Sequence, residues 1–279
     1  MTSDFFILMW KPLLACLVLT GIHAYLGIHV IERQVIFVDL ALAQIAALGA
    51  TIAFLFNFDL HGPQTYWFSL AATFLGAGVF SWTRTRSANV PQEAVIGIVY
   101  AVCAAAAILI LSRSPEGDEH IRYILVGDIL LVSLPEIIKM AVLYSIVGFI
   151  HWSFRKVFIL ISTQPEKAFE QGVRVKGWDL LFYLTFGFVV TSSVQIAGVL
   201  LVFSFLIVPA VGAILFSSNL RVRLMLGWGL GAAASFLGIF LSYFFDLPTG
   251  AAIVCTFGAL LFFLALVKFI HPKNSGLIK

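Results

Sequence analysis

The sequence predicts an all-α fold, a polytopic transmembrane helix bundle of about eight to nine spans. Three observations carry that prediction. Hydrophobic residues make up 61% of the 279-residue chain. Charged residues make up 11%, where a soluble domain carries about 25%. Apolar runs of bilayer length follow one another, separated by short breaks with turn chemistry. No polar stretch is long enough for a separate soluble domain, so residues 1–279 read as one transmembrane domain.

The runs fall at 5–29, 35–58, 65–82, 92–111, 134–152, 178–196, 198–216, 222–245 and 249–270. The third run and the 198–216 run set the range of eight to nine. The first run lacks a small-residue cleavage site and reads as a span, not a removed signal peptide. His61-Gly62-Pro63 ends the second run, Ser114-Pro115-Glu116-Gly117-Asp118 the fourth, and Asp246-Leu247-Pro248-Thr249-Gly250 the eighth. Residues 120–132 are too short and too polar to span, which predicts a re-entrant or interfacial helix buried by protein. Residues 179–217 are about twice one bilayer span, with a polar knot at Thr191-Ser192-Ser193-Val194-Gln195 and a proline at Pro209. Two spans around a break, lining a cavity, fit that pattern better than one long helix.

Positive charge sets the expected orientation. Arg33, Arg84, Arg86, Arg155, Lys156, Lys167, Arg174, Lys176, Arg221, Arg223 and the C-terminal lysines fall on one side if the spans alternate. This places the N-terminus outside and the C-terminus in the cytoplasm, with Lys11 snorkelling to the outer interface. Residues 162–176 are then the longest cytoplasmic connection. Within it, Pro165-Glu166-Lys167-Ala168-Phe169-Glu170-Gln171 reads as a short helix, with proline in the first turn and Gly172 as its stop.

Several function classes are absent. The chain has no GxxxxGK[ST] phosphate loop, so it is not its own ATPase. It has no HExxH or GxSxG, and no paired carboxylates on one helix, to suggest hydrolysis. The net charge of +3 is modest, and the short basic loops lack interleaved aromatics, which argues against nucleic acid. Cys16, Cys103 and Cys255 lie singly in apolar runs without CxxC spacing, which argues against disulfides and thiolate metal sites. A transporter, channel or membrane scaffold is left, with lipid as its surroundings and no permanently bound cofactor.

The stretch Ser193-Val194-Gln195-Ile196-Ala197-Gly198-Val199-Leu200-Leu201-Val202, followed by Leu206-Ile207-Val208-Pro209-Ala210, resembles the permease subunits of bacterial zinc/manganese/iron ABC importers. Four further stretches match in the family's order: Ile96-Gly97-Ile98-Val99-Tyr100, Leu125–Ser133, Gln164–Gly172 and Leu241–Val254. The resemblance implies a permease of the type II ABC importer kind that works as a homodimer in the cytoplasmic membrane. It implies an ATP-binding-cassette ATPase subunit below, which uses the ATP, and a periplasmic or lipid-anchored metal-binding protein above. The 163–176 segment would couple to the ATPase through Pro165, Glu166, Phe169, Glu170 and Gly172. A divalent metal would be the transported substrate.

One segment departs from the family pattern. A G-D-A-L-x-H stretch is usual at the second span, but this chain has Phe37-Val38-Asp39-Leu40-Ala41-Leu42-Ala43-Gln44. Aligned on Phe37 and Gly49, Leu40 takes the Asp slot and Gln44 the His slot. Asp39 sits one residue early, a rotation of about 100°, and an amide is a poor ligand for borderline metals. Asp39 and Gln44 are the candidate metal contacts, and Ser193 and Gln195 the candidate pathway lining. Each has a plainer reading: Asp39 pairing with Arg33 or capping its helix, Gln44 as interhelical glue, Ser193 and Gln195 satisfying backbone at the break. Glu93 reads as a helix-start charge. His23 and His29 lie six apart on the first span, not on one face, while His61 and His120 fall in external connections. The altered second span also leaves two other readings: an ABC permease for a metal chelate or other small solute, and a secondary transporter or channel without an ATPase.

Overall fold

The computed structural model describes residues 2–59, 62–84, 90–112 and 125–270. His61 and His120, the proposed external histidines, lie outside these residues, as do Arg86 and the lysines at 273 and 279. The described chain is helical almost throughout. Helices α1 (Thr2–Glu32), α2 (Val38–Leu55), α3 (Pro63–Thr83) and α4 (Gln92–Leu111) come first. A 3-10 turn, Ile129–Leu131, precedes α5 (Leu134–Ser153), α6 (Arg155–Thr163) and α7 (Pro165–Glu170). Helices α8 (Val175–Phe216), α9 (Leu220–Phe245) and α10 (Thr249–Ile270) close the fold.

Seven of the described helices are long and apolar enough to cross a membrane: α1 from Ile7, α2, α4, α5, α8, α9 and α10. Helix α3 coincides with the third expected run but falls short of that apolarity. The two runs expected at 178–196 and 198–216 are the arms of α8. Its 42 residues span about 60 Å at 1.5 Å per residue, twice a hydrocarbon core of about 30 Å. The break falls at Gly198, whose backbone (φ 73°, ψ 163°) leaves the helical region. Part of the 120–132 segment, expected as a re-entrant or interfacial helix, packs against this break. Gly127, also at positive φ, lies back to back with Gly198, and a side chain on either would overlap the other's backbone. Only glycine tolerates both the left-handed φ and the approach.

The fold divides into two compact units. One comprises Met1–Ile28, Ile129–Ile137 and Ser204–Lys279. In it the Trp228 indole donates to the Gly21 carbonyl at 3.0 Å, and Phe205 meets Phe257 edge-on at 5.0 Å. Asn219 caps α9 by accepting from the Arg221 and Val222 amides, a standard helix start. The turn predicted at Asp246 is present: Asp246 is left-handed, and the Leu247 amide returns to the Ser242 carbonyl at 3.0 Å.

The other unit comprises His29–Asp128 and Ile138–Phe203. Helix α2 packs on α3 through Gly49, which lies against the Phe68 carbonyl and Ser69, the small-residue contact that lets helix backbones approach in lipid. Residues 155–163, which lie outside every expected span, form α6, whose Phe158 and Ile161 are buried while Arg155 and Lys156 are exposed. That pattern makes an amphipathic helix rather than a span. All the candidate site residues lie in this second unit.

Candidate functional site

The segment expected to face an ATPase folds as its residues dictate. Pro165 occupies the first turn of α7, where its missing N–H is not needed. At the other end Gly172 has φ 70°. The Gly172 amide donates to the Phe169 carbonyl at 3.1 Å and the Val173 amide to the Ala168 carbonyl at 3.0 Å. These are the paired 5→2 and 6→1 bonds of a Schellman stop. Glu166 and Glu170 are exposed. Ala168 is buried with Ile161 of α6 and Val175 of α8, and Phe169 and Trp178 pack on that cluster. The short helix thus presents carboxylates outward and is seated on apolar side chains.

Directly behind this seat lies a cluster of buried charge. Arg33, just past the end of α1, donates from Nη1 to Asp179 Oδ1 at 2.6 Å and from Nε to Ser162 Oγ at 2.8 Å. Arg84, just past α3, donates to the same Asp179 Oδ1 at 3.0 Å and to the Ile161 carbonyl at 3.2 Å. Ser162 Oγ also lies 2.8 Å from His29 Nδ1. The Arg33 guanidinium sits 3.9 Å over the Phe182 ring, a cation–π contact strengthened by desolvation. His151 stacks on Phe158 at 4.3 Å and lies 2.9 Å from Thr185 Oγ1. The side chains of Arg33 and Asp179 are fully buried and that of Arg84 is 11% exposed.

Sequence reasoning missed this cluster. Arg33 and Arg84 were read only as orientation signals, and Arg33 as a partner for Asp39. The structure gives Arg33 to Asp179 instead. The signal was available: Asp179 is a carboxylate at the start of an apolar span, and such a residue is a functional candidate by default.

Asp39 is in the first turn of α2 and 1% exposed. Its Oδ1 has no hydrogen-bond partner among the described residues. Gln44 is also buried, at 7% exposure. Five residues separate them, about 140° around the helix and about 7.5 Å along it, so α2 does not bring them onto one face. Glu93, at the start of α4, accepts the Phe37 amide at 3.0 Å, pinning α4 to the turn that enters α2.

The polar knot in α8 is deeply placed. Ser193 is fully buried, 2.5 Å from the Tyr144 hydroxyl, and donates to the Val189 carbonyl at 2.6 Å. Thr191 lies 3.1 Å from Thr73 of α3. Gln195 is half-buried, one turn before Gly198. The knot therefore ties α3 and α5 to the arm of α8 that leads into the break.

The whole chain has parallels among known proteins. The chain is 26% identical over 269 residues to "Manganese transport system membrane protein MntC" of Listeria monocytogenes, covering 96% of this chain and 92% of that one. It is 27% identical over 272 residues to "Manganese import system permease protein ScaB" of Streptococcus gordonii, covering 96% and 92%. Over 273 residues it is 26% identical to a "Probable iron transport system membrane protein" of Haemophilus influenzae, covering 97% and 92%. Among solved structures, "PsaBC from Streptococcus pneumoniae in complex with Fab" superposes with a TM-score of 0.79 at 22% identity, covering 98% of this chain and 97% of that one. A structure assigned to the metal-chelate type of ABC transporter follows at 0.72 and 18% identity, covering 95% and 89%. Both likenesses establish the fold. The ABC 3 transport family matches residues 6–268, nearly the whole chain, and this multi-pass membrane protein belongs to that family.

Proposed function

We propose that the chain is the membrane-spanning permease subunit of an ATP-binding-cassette importer and that its cargo is a divalent transition metal ion, zinc, manganese or iron. The observation that carries this reading is the family match across residues 6–268, together with relatives whose names specify manganese or iron transport. The permease works as a homodimer, takes metal from an external binding protein and draws its energy from a separate ATPase. Residues 163–176 are the coupling segment. Its two exposed carboxylates and its apolar seat suit a rigid projection that docks in a protein groove. Asp39, Gln44, Ser193 and Gln195 lie along the passage. Asp39 carries the strongest support among them, because a buried carboxylate oxygen without a protein partner suits a passing cation.

A second reading is favoured by Gln44, which stands where the family pattern has histidine. An amide is a poor ligand for a bare borderline metal but hydrogen-bonds well to the organic shell of a chelate. The test is affinity purification from native membranes followed by uptake assays with zinc(II), manganese(II), iron(II) and a chelated iron. Co-purification of an ATPase and ATP-dependent uptake of a bare ion support the first reading. Uptake of the chelate alone supports the second. Uptake with no ATPase and no ATP dependence assigns the chain to secondary transport.

A further inference from the structure

The charge cluster behind the coupling segment has no part in the function proposed above. It is small, buried and unevenly bonded. Both guanidiniums crowd one oxygen of Asp179, Oδ1, at 2.6 and 3.0 Å. Among the described residues the other oxygen, Oδ2, is buried and accepts no hydrogen bond, and Arg33 Nη2 donates none. A carboxylate facing a guanidinium ordinarily uses both oxygens in a bidentate pair. Here one donor and one acceptor are held in reserve within the same ion pair. A rearrangement that set Arg33 Nη2 on Asp179 Oδ2 would give both a partner in a second pairing, without any charge being exposed to lipid.

Its position gives that second pairing a use. Ala168 and Phe169 of α7 rest on Ile161, Val175 and Trp178. The next groups along the same backbone are the gripping ones: the Ile161 carbonyl and Ser162 on α6, and Asp179 on α8. These hold Arg33, at the end of α1, and Arg84, at the end of α3. A displacement of α7 shifts Ile161 and Trp178, and with them both walls of the ion cluster. Packed side chains respond to such shifts by changing between discrete arrangements, not by deforming continuously.

We propose that Arg33, Arg84, Asp179 and Ser162 are positioning residues that link the coupling segment to the cytoplasmic ends of α1 and α3, so that ATPase movement at α7 repositions those helices. The inference rests on the ABC importer reading. The residues touch no cargo. They set how much transport each hydrolysed ATP yields.

The test uses the full permease with its co-purified ATPase in proteoliposomes, with manganese(II) as probe. ATP hydrolysis and uptake are measured together. Asp179→Asn keeps the shape and removes the charge. Ser162→Ala removes only the hydroxyl shared by Arg33 and His29. Both variants are expected to retain the ATPase and hydrolyse ATP at the parental rate. Uptake per ATP is expected to fall about fivefold or more for Asp179→Asn and about twofold for Ser162→Ala. Asp179→Glu, which returns the charge, recovers part of the ratio. An unchanged uptake-to-hydrolysis ratio in folded Asp179→Asn and Ser162→Ala overturns the proposal. So does a loss of uptake and hydrolysis in strict proportion to folded protein. If Asp179→Asn fails to fold, Ser162→Ala decides by the same ratio. A parental protein that carries no ATPase overturns the importer reading itself, and is recognised before any variant is compared.

Discussion

Two buried aspartates lie near the beginnings of two helices of this permease, and among the described residues only one of them is paired with charge. Asp179, just past the first turn of α8, binds two guanidiniums through one oxygen. Asp39, in the first turn of α2, is equally buried but has no ion-pair partner among the described residues, although each aspartate keeps one buried oxygen that meets no donor there. Removing a charge from water costs several kcal/mol unless it is paired and hydrogen-bonded. The first aspartate offsets part of that penalty through its two arginines. The second has no such counter-charge among the described residues, which fits the proposal that a cation meets it from outside. On the proposed reading, the contrast separates a residue that holds the fold together from one that meets the cargo.

Asp179→Ala gives the largest expected effect. It leaves Arg33 buried without its counter-charge, and breaking such a pair costs about 3–5 kcal/mol. The thermal midpoint of the detergent-purified protein should fall sharply or the protein should not accumulate in the membrane. A midpoint at the parental value would mean that the two arginines find other acceptors and that the cluster is not structural.

Asp39→Asn should behave in the opposite way. The fold loses no protein contact at Oδ1, so the midpoint holds or rises. Metal uptake should drop by about tenfold or more, the scale of losses at metal-handling residues. A stability loss with uptake intact would reverse the assignment of the two aspartates.

Gln44→His sharpens the reading of the second helix. An imidazole suits zinc and its neighbours better than an amide does. Competition between zinc and manganese in uptake should move toward zinc severalfold. No change in preference would place residue 44 in helix packing rather than in the passage.

The smallest effects are expected at the exposed carboxylates of α7. Glu166→Gln and Glu170→Gln should each weaken ATPase retention by about 0.2–1 kcal/mol, with the deficit disappearing at high salt. Stability should not change. Pull-down of the ATPase across a salt series makes the check.

The sequence carried local features well and long-range pairings poorly. Pro165 and Gly172 define α7 through rules that act within a single turn, and both ends fall where those rules put them. The break near Gly198 was legible because a polar knot and a glycine interrupt an otherwise apolar run. The amphipathic helix α6 went unread because its Arg155 and Lys156 resemble an ordinary basic loop. Arg33 and Asp179 are 146 residues apart, and neither hydropathy nor spacing specifies such a pair. In sequence Asp39 lies only six residues from Arg33, which is why pairing with Arg33 is one of the plain readings of Asp39. The contact of Gly127 with Gly198 was hidden for the same reason: two single glycines give no periodic signal. What the candidate site revealed in sequence was its identity of type, through family-ordered motifs. What it concealed was which charge answers which.

The most direct measurement is metal uptake by proteoliposomes holding the permease and its co-purified ATPase, loaded with the external binding protein, with and without ATP. The account predicts that manganese(II), zinc(II) or iron(II) accumulates only when ATP is supplied and that Asp39→Asn abolishes most of it. Accumulation independent of ATP, or none for any of the three ions, would contradict it.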